Sequence, residues 1–305
     1  MLDLIAVDLF AGAGGFSTGA EAAGCTVALA ANHWPAAVAA HRANHPKTMH
    51  WTQDLQQANF ADLPDHDLLL ASPACQGHSR ARGKEAAGHD AARSTAWAVV
   101  SACEAKRPAC VLVENVPDFT RWILYPAWRS AMAALGYTFA EHYADSADHG
   151  VPQSRPRLVL VGTRSRWPLM LPVVRREHVG ASSFVNFTSG RWSDVEREGR
   201  AATTLGRVEA GRREHGARFL VSYYGSTTGG RSLARPIGTI TTRDRWAVID
   251  GDRMRMISVD EARAAMGFPA GYVLPADPKL AIHLLGNAVV PLVAEDFIRA
   301  LQAAS

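Results

Sequence analysis

One thiol, one carboxyl and two guanidinium groups share a placement in this chain: each lies where a short apolar run ends or begins. Cys75 follows the apolar run 67–71, in Ser72-Pro73-Ala74-Cys75-Gln76-Gly77-His78-Ser79. Glu114 closes the run in Val111-Leu112-Val113-Glu114-Asn115-Val116. Arg155 and Arg157, in Gln153-Ser154-Arg155-Pro156-Arg157, stand just before the run 158–162. Short apolar runs read as buried strands, and open α/β sheets bind ligands beyond the carboxyl ends of their strands. A carboxyl placed there among apolar residues is poised for a raised pKa. Taken singly, each residue has an ordinary explanation. A lone cysteine commonly fills a core, and an arginine at a strand start commonly lies on the surface. Cys25, Cys103 and Cys110 fall within or beside predicted elements and are read as filler.

A fourth feature changes that reading. Asp8-Leu9-Phe10-Ala11-Gly12-Ala13-Gly14-Gly15-Phe16 places glycines between a predicted strand and a predicted helix. Glycines there let backbone approach a ligand, with helix N–H groups aimed at it. A nicotinamide site needs an acid roughly 20 residues on, for the ribose hydroxyls. This chain has Ala31-Asn32-His33-Trp34 there instead. Trp34 suits packing on an adenine, or in the core, and Asp54 suits the adenine amino group. The turn therefore fits a nucleoside cofactor better than a dinucleotide.

Together the four features fit addition chemistry on a pyrimidine. Carbon 5 of cytosine is a poor nucleophile. A thiolate adding to carbon 6 makes the ring an enamine, which attacks an electrophilic methyl group. Protonated Glu114 would hold ring nitrogen 3 and stabilise developing charge, and arginine would hold the carbonyl oxygen. A base then takes the carbon 5 proton and the thiolate leaves, which is covalent catalysis.

These groups need a scaffold that brings strand ends together. The runs 4–10, 26–31, 67–71, 111–113 and 158–162 alternate with helical segments such as 15–23 and 91–105. That alternation predicts a mostly parallel, doubly wound α/β sheet. Beyond 164 the pattern changes. Residues 164–245 hold fifteen arginines, no lysine and seven acids, with glycines recurring in Tyr223-Tyr224-Gly225-Ser226-Thr227-Thr228-Gly229-Gly230. This reads as a smaller, irregular, basic lobe. The tail 280–303 turns helical again. Net charge is only +3, with arginine supplying 28 of the 32 basic residues, which by itself reflects compositional bias. No apolar run approaches the roughly 18 residues of a membrane span. Four cysteines match neither a zinc pattern nor a disulfide scaffold, so a reducing cytosol is expected. The start carries no basic leader, and no signal peptide is expected.

At this point the sequence resembles, nearly end to end, the DNA (cytosine-5) methyltransferase family. The glycine turn matches the family's cofactor motif, Cys75-Gln76 its nucleophile motif, and Glu114-Asn115-Val116 its acid motif. Gln153-Ser154-Arg155-Pro156-Arg157 matches its arginine motif, and Arg235-Pro236-Ile237-Gly238-Thr239-Ile240-Thr241 the stretch supporting the recognition domain. Met266-Gly267-Phe268-Pro269 and Gly286-Asn287-Ala288-Val289-Val290-Pro291 match its closing motifs, in the family's order.

The resemblance implies a Rossmann-like methyltransferase domain at 1–165, a small target-recognition domain at 166–255, and a hinge and C-terminal helix at 256–305 returning to the first. It implies Cys75, Glu114, Arg155 and Arg157 as catalytic residues. S-adenosylmethionine would be held by Asp8, Phe10, Ala11, Gly12, Gly14, Gly15, His33, Trp34, Asp54, Leu55, Ala74, Asn287 and Ala288. The products would be S-adenosylhomocysteine and 5-methylcytosine. Double-stranded DNA would meet Arg243 and a mobile loop carrying Gln76, Ser79, Arg80, Arg82 and Lys84. The target base must be flipped from the stack. Two positions depart from the family. Ala74 replaces the usual proline, which changes loop stiffness, and His33 replaces a glutamate on the cofactor ribose, which weakens that hydrogen bond.

The expected protein is a cytoplasmic, nucleoid-associated monomer with no metal, membrane or obligate protein partner, of the kind found in restriction-modification systems. An RNA methyltransferase acting on tRNA is the alternative enzyme, but the Cys-Phe-Thr signature of that branch is absent. A catalytically inactive DNA-binding module is the alternative from another class, against which Cys75, Glu114 and Arg157 all argue. A nicotinamide oxidoreductase ranks third.

Overall fold

The computed structural model describes residues 4–74, 95–172, 174–223 and 229–304. The chain divides into two compact units. The first comprises Met1–Asp145, Pro156–Val174 and Ala288–Ser305; the second comprises Ser146–Arg155 and Arg175–Asn287.

The first unit is built in the alternating order expected: β1 (Ile5–Leu9), α1 (Gly15–Ala22), β2 (Thr26–Asn32), α2 (Pro35–Asn44), β3 (Met49–Thr52), β4 (Leu68–Ala71), α3 (Trp97–Lys106), β5 (Cys110–Asn115), α4 (Tyr125–Ala134), β6 (Thr138–Asp145) and β7 (Pro156–Thr163). The strands form one sheet in the order β3-β2-β1-β4-β5-β7-β6. Pairing is parallel from β3 to β5; β7 runs antiparallel to both β5 and β6. Every residue of β4, and all of β1 after Ile5, is buried. Central parallel strands are covered on both faces, which is why these runs are apolar throughout instead of alternating. Strand order reverses between β1 and β4, the switch point beyond whose carboxyl ends such sheets open a ligand crevice.

β3 and β6 did not stand out in the sequence. β3 is four residues long and partly exposed at the sheet edge. β6 mixes Glu141, His142 and Asp145 into its run, because the opposite edge is also half exposed.

The C-terminal helix Pro291–Ala304 returns to this unit and lies against α1. The approach is close enough that a Cβ on Gly15 would collide with the backbone of Val289, and one on Gly19 with that of Pro291. Among the described residues, Pro278–Ala304 is the one stretch apolar and long enough to cross a membrane, yet 67% of its most apolar window is buried. Burial of that kind is what a core helix shows.

The second unit is more regular than its sequence implied. It contains β8 (Ser193–Asp194), α5 (Ala202–His215), β9 (Arg218–Ser222), β10 (Gly230–Arg231), β11 (Trp246–Asp250), β12 (Arg253–Met256), α6 (Val259–Ala265) and α7 (Pro278–Asn287). An antiparallel sheet runs β10-β9-β11-β12-β8. Its core is small: Val195, Val208, Phe219, Val221, Ala247, Ile249 and Met254. α5 escaped sequence reading because it buries only Thr204, Val208 and Gly211, too few for an apolar stripe. Arg255 and Glu261 form a buried two-pronged ion pair at 2.7 and 2.6 Å, and Glu261 also closes a capping box with Ser258. A buried pair of this geometry satisfies both charges where either alone would be costly.

Candidate active site

The glycine turn after β1 is the most strained stretch of the first unit. Phe10, Gly12 and Gly14 take φ values of 62°, 54° and 86°. Left-handed backbone is cheap for glycine but not for Phe10, and such strain gathers at functional turns. The turn is tied down by Ala11 N donating to Ala31 O at 3.0 Å and Gly14 N to Ala11 O at 2.8 Å. α1 then starts at Gly15 with no side-chain cap from Gly14. Its first-turn Ser17 N–H is taken by Asp8 Oδ2 at 3.1 Å, which also accepts from Ser17 Oγ at 2.7 Å. Asp8 is 0% exposed, and its Oδ1 is buried with no hydrogen-bond partner. Burial pushes its pKa up to about 7, against the Ser17 hydrogen bonds and the nearby His45. Left-handed glycines at a helix start and an orphaned carboxyl oxygen are what a polar nucleoside cofactor fits.

At the end of β2, Asn32 Oδ1 accepts from Trp34 N at 2.9 Å, which turns the chain into α2. His33 is exposed there and Trp34 half-buried. Beyond β3, Asp54 is exposed, its Oδ1 accepting from Gln56 N at 3.0 Å, and Leu55 is buried. Thr52 pairs with Asn32 in the register, so these two segments leave adjacent strand ends.

β4 and β5 bring the chemistry-bearing strand ends together. Leu9 pairs with Ala71, and Ala71 with Val113, so the turn, Ser72 and Glu114 follow one another across the sheet. Side chains reinforce that register. Ser72 Oγ donates to Phe10 O at 3.1 Å, and Asn115 Nδ2 donates to Pro73 O at 3.1 Å. Ala74 N donates to Thr95 Oγ1 at 3.1 Å. Ser72-Pro73-Ala74, which precedes Cys75 in the chain, is thus held between the glycine turn and β5. Glu114 Oε1 lies 2.9 Å from Arg157 Nε, with side-chain exposures of 11% and 16%. β7 pairs antiparallel with β5 and carries Arg157 to that partner.

Among the other expected site residues, Arg155, Arg243 and Asn287 belong to the second unit. There the Nη1 and Nη2 of Arg155 donate to Ile240 O and Gly286 O at 2.9 and 2.8 Å. At 3% exposure it braces that unit. Arg243 is exposed in the same unit. Asn287 ends α7 in the second unit, and Ala288 is a buried residue of the first. Cys75, Gln76, Ser79, Arg80, Arg82 and Lys84 lie outside the described residues. Sequence reading missed Ser17, Ser72, Thr95 and Asn115, all of which hold the site's backbone or Asp8. Asn115 alone carried a signal, as a polar residue inside an apolar run. The surface hollow lined by Arg129, Tyr137, Phe139 and Pro168 contains none of these residues.

The type II methyltransferase M.NgoBI of Neisseria gonorrhoeae is 31% identical over 169 residues, 54% of this chain and 52% of that one. The alignment with M.HaeII of Haemophilus aegyptius likewise covers only 49% of that protein. M.NlaX of Neisseria lactamica is 27% identical over 325 residues, covering 98% of this chain and 97% of that one. Among solved structures, a prophage-encoded methyltransferase of E. coli superposes with TM-score 0.72 at 18% identity, covering 98% and 99% of the two chains, which shows a shared fold. The model of C-5 cytosine-specific DNA methylases matches residues 4–209 and 187–303, and this chain belongs to that family.

Proposed function

We propose that this chain transfers a methyl group from S-adenosylmethionine to carbon 5 of a cytosine flipped out of duplex DNA, through a covalent adduct with Cys75. The observation that carries the reading is the alignment of three strand ends across β1, β4 and β5. It sets the glycine turn, the approach to Cys75 and the Glu114–Arg157 pair side by side.

The bound cofactor supplies an electrophilic methyl group. Everything else falls to the chain. Phe10, Ala11, Gly12, Gly14 and Gly15 shape the turn, with Asp8 beneath it. His33 and Trp34 at the end of β2 contact the ribose and adenine, and Asp54 and Leu55 close the adenine side. Asn287, Ala288 and Ala74 complete the cofactor set. Cys75 adds to carbon 6. Glu114 holds the ring nitrogen 3 edge, with its carboxyl oriented by Arg157. Glu114 meets the base protonated, and the cation beside it fixes the plane of its carboxyl group, positioning worth about two to three orders of magnitude in rate. Gln76, Ser79, Arg80, Arg82 and Lys84 meet DNA together with Arg243. The protein acts as a single chain in the cytoplasm, as the modification partner of a restriction system. Its type II relatives support that context.

Mechanism-based trapping tests the reading. Duplex DNA carrying 5-fluorocytosine at the target should form a covalent complex with the wild type and S-adenosylmethionine, and none with Cys75→Ser. An adduct in the mutant, or methyl transfer to tRNA but not to duplex DNA in parallel assays, would overturn it.

A further inference from the structure

A line of polar groups runs from Asp8 beneath the glycine turn through Ser17, His41 and His50, three residues with no part in the chemistry above. Ser17 Oγ donates to Asp8 Oδ2 at 2.7 Å. His41 Nε2 lies 2.9 Å from Ser17 Oγ, and His41 Nδ1 lies 2.9 Å from His50 Nε2. Asp8 and His41 are 0% and 1% exposed, whereas His50 is half-buried. The line joins β1, α1, α2 and β3, and it leads from the buried carboxyl to the solvent.

These hydrogen bonds have two self-consistent settings. With Asp8 ionised, Ser17 donates to Asp8, His41 Nε2–H donates to Ser17, and His50 Nε2–H donates to His41 Nδ1. With Asp8 protonated, every bond reverses. Passing from the second setting to the first moves protons in step. The Asp8 proton goes to Ser17 Oγ, the Ser17 proton to His41 Nε2, and the His41 Nδ1 proton to His50 Nε2. His50 then carries both ring protons, with the remaining N–H donated to the Thr48 carbonyl, and this half-buried ring loses one proton to solvent. One proton leaves Asp8 and one reaches solvent. His41 is neutral in both settings, in keeping with burial and the neighbouring His45 and His50, which hold its pKa down to about 2. Burial, with Arg42 and His45, likewise lowers the pKa of His50 against the hydrogen bond to the Thr48 carbonyl, which on balance favours proton release at that end.

We propose that Ser17, His41 and His50 form a proton wire through which Asp8 discharges its proton when a cationic cofactor occupies the glycine turn. The inference rests on the reading that this turn holds S-adenosylmethionine. Its sulfonium and ammonium outnumber its single carboxylate, and added positive charge near a buried carboxyl favours ionisation. The neighbouring elements put other charges in view. α2 contributes His45, 2.9 Å from Glu21 of α1, and Arg42, which acts on His50. The C-terminal helix carries Asp296 and the pair of Glu295 with Arg299. β2 and β4 set only Ala30 and Leu70 beside Asp8 in the register.

Calorimetry in buffers of different ionisation enthalpy counts the protons released. At pH 6.5 the wild type should release up to about three-quarters of a proton on binding S-adenosylmethionine, and clearly less with S-adenosylhomocysteine, which lacks the sulfonium charge. Affinity for S-adenosylmethionine should fall by up to about tenfold per pH unit below about 7. Asp8→Asn should abolish the difference between the two ligands. In stopped-flow mixing with a pH indicator, proton release should lag behind binding in Ser17→Ala and in His41→Phe. If His41→Phe does not fold, Ser17→Ala, which removes one hydroxyl, carries the kinetic arm. Equal proton release with both ligands, release persisting in Asp8→Asn, or release as prompt as wild type in Ser17→Ala each overturns the wire. No binding of S-adenosylmethionine by the wild type would overturn the functional reading itself.

Discussion

Replacing Arg157 by alanine removes the cation that orients Glu114. The two side chains are 16% and 11% exposed and meet at 2.9 Å. Unit charges roughly 4 Å apart attract by about 4 kcal/mol at an effective dielectric near 20. Solvent at the partly exposed rim reduces that, and truncation leaves a carboxyl with its orienting partner gone. A cost of about 3–4 kcal/mol in transition-state stabilisation is expected, equivalent to a loss of about 10²- to 10³-fold in kcat/KM. Arg157→Lys keeps the charge but not the planar fork, and should recover only part of that loss. Initial rates of methyl transfer to duplex DNA measure both variants, with cofactor affinity by calorimetry as the control. The reasoning fails if Arg157→Ala stays within about threefold of wild type in kcat/KM, or if its loss lies wholly in cofactor affinity.

Three further outcomes follow from particular contacts. Gly15→Ala drives a Cβ into the Val289 backbone and should cost about 1–3 kcal/mol in urea unfolding, with weaker cofactor binding; unchanged stability would count against the helix packing described. Asn115→Leu leaves Pro73 O without its donor and should cost about 1–3 kcal/mol while slowing adduct formation on 5-fluorocytosine DNA; a wild-type trapping rate would refute that support. Burial opposes ionisation of Glu261, but hydrogen bonds from Arg255, Ser258 and Asn186 outweigh it and hold the pKa below its ordinary value. Its contribution is therefore present above the unfolded value of 4.5 and is lost as pH falls below that through the folded pKa. Arg255→Met should remove this acid sensitivity from unfolding monitored between pH 5 and pH 3; an unchanged acid limb would sink the assignment.

Much of the first unit was legible before folding, because central parallel strands are buried on both faces and so read as plain apolar runs. The positions of the glycine turn, Glu114 and Arg157 at strand ends followed from those runs and from turn chemistry. The edge strands β3 and β6, and helix α5, were not legible. Their half-exposed faces dilute the apolar pattern to the level of a loop.

What only tertiary structure decided is clearest at Arg155 and Arg157. Two residues apart, they share strand parity, and the sequence offered both to the same site. The chain enters β7 only at Pro156, so Arg157 travels with the sheet and meets Glu114. Arg155 precedes the strand, and its guanidinium donates to the carbonyls of Ile240 and Gly286. Asp8, Ser17, His41 and His50 make the same point from the other side. Spacings of 9, 24 and 9 residues carry no local signal. The four side chains meet because β1, α1, α2 and β3 pack in adjacent layers, where a buried carboxyl must find its hydrogen bonds from whatever elements surround it.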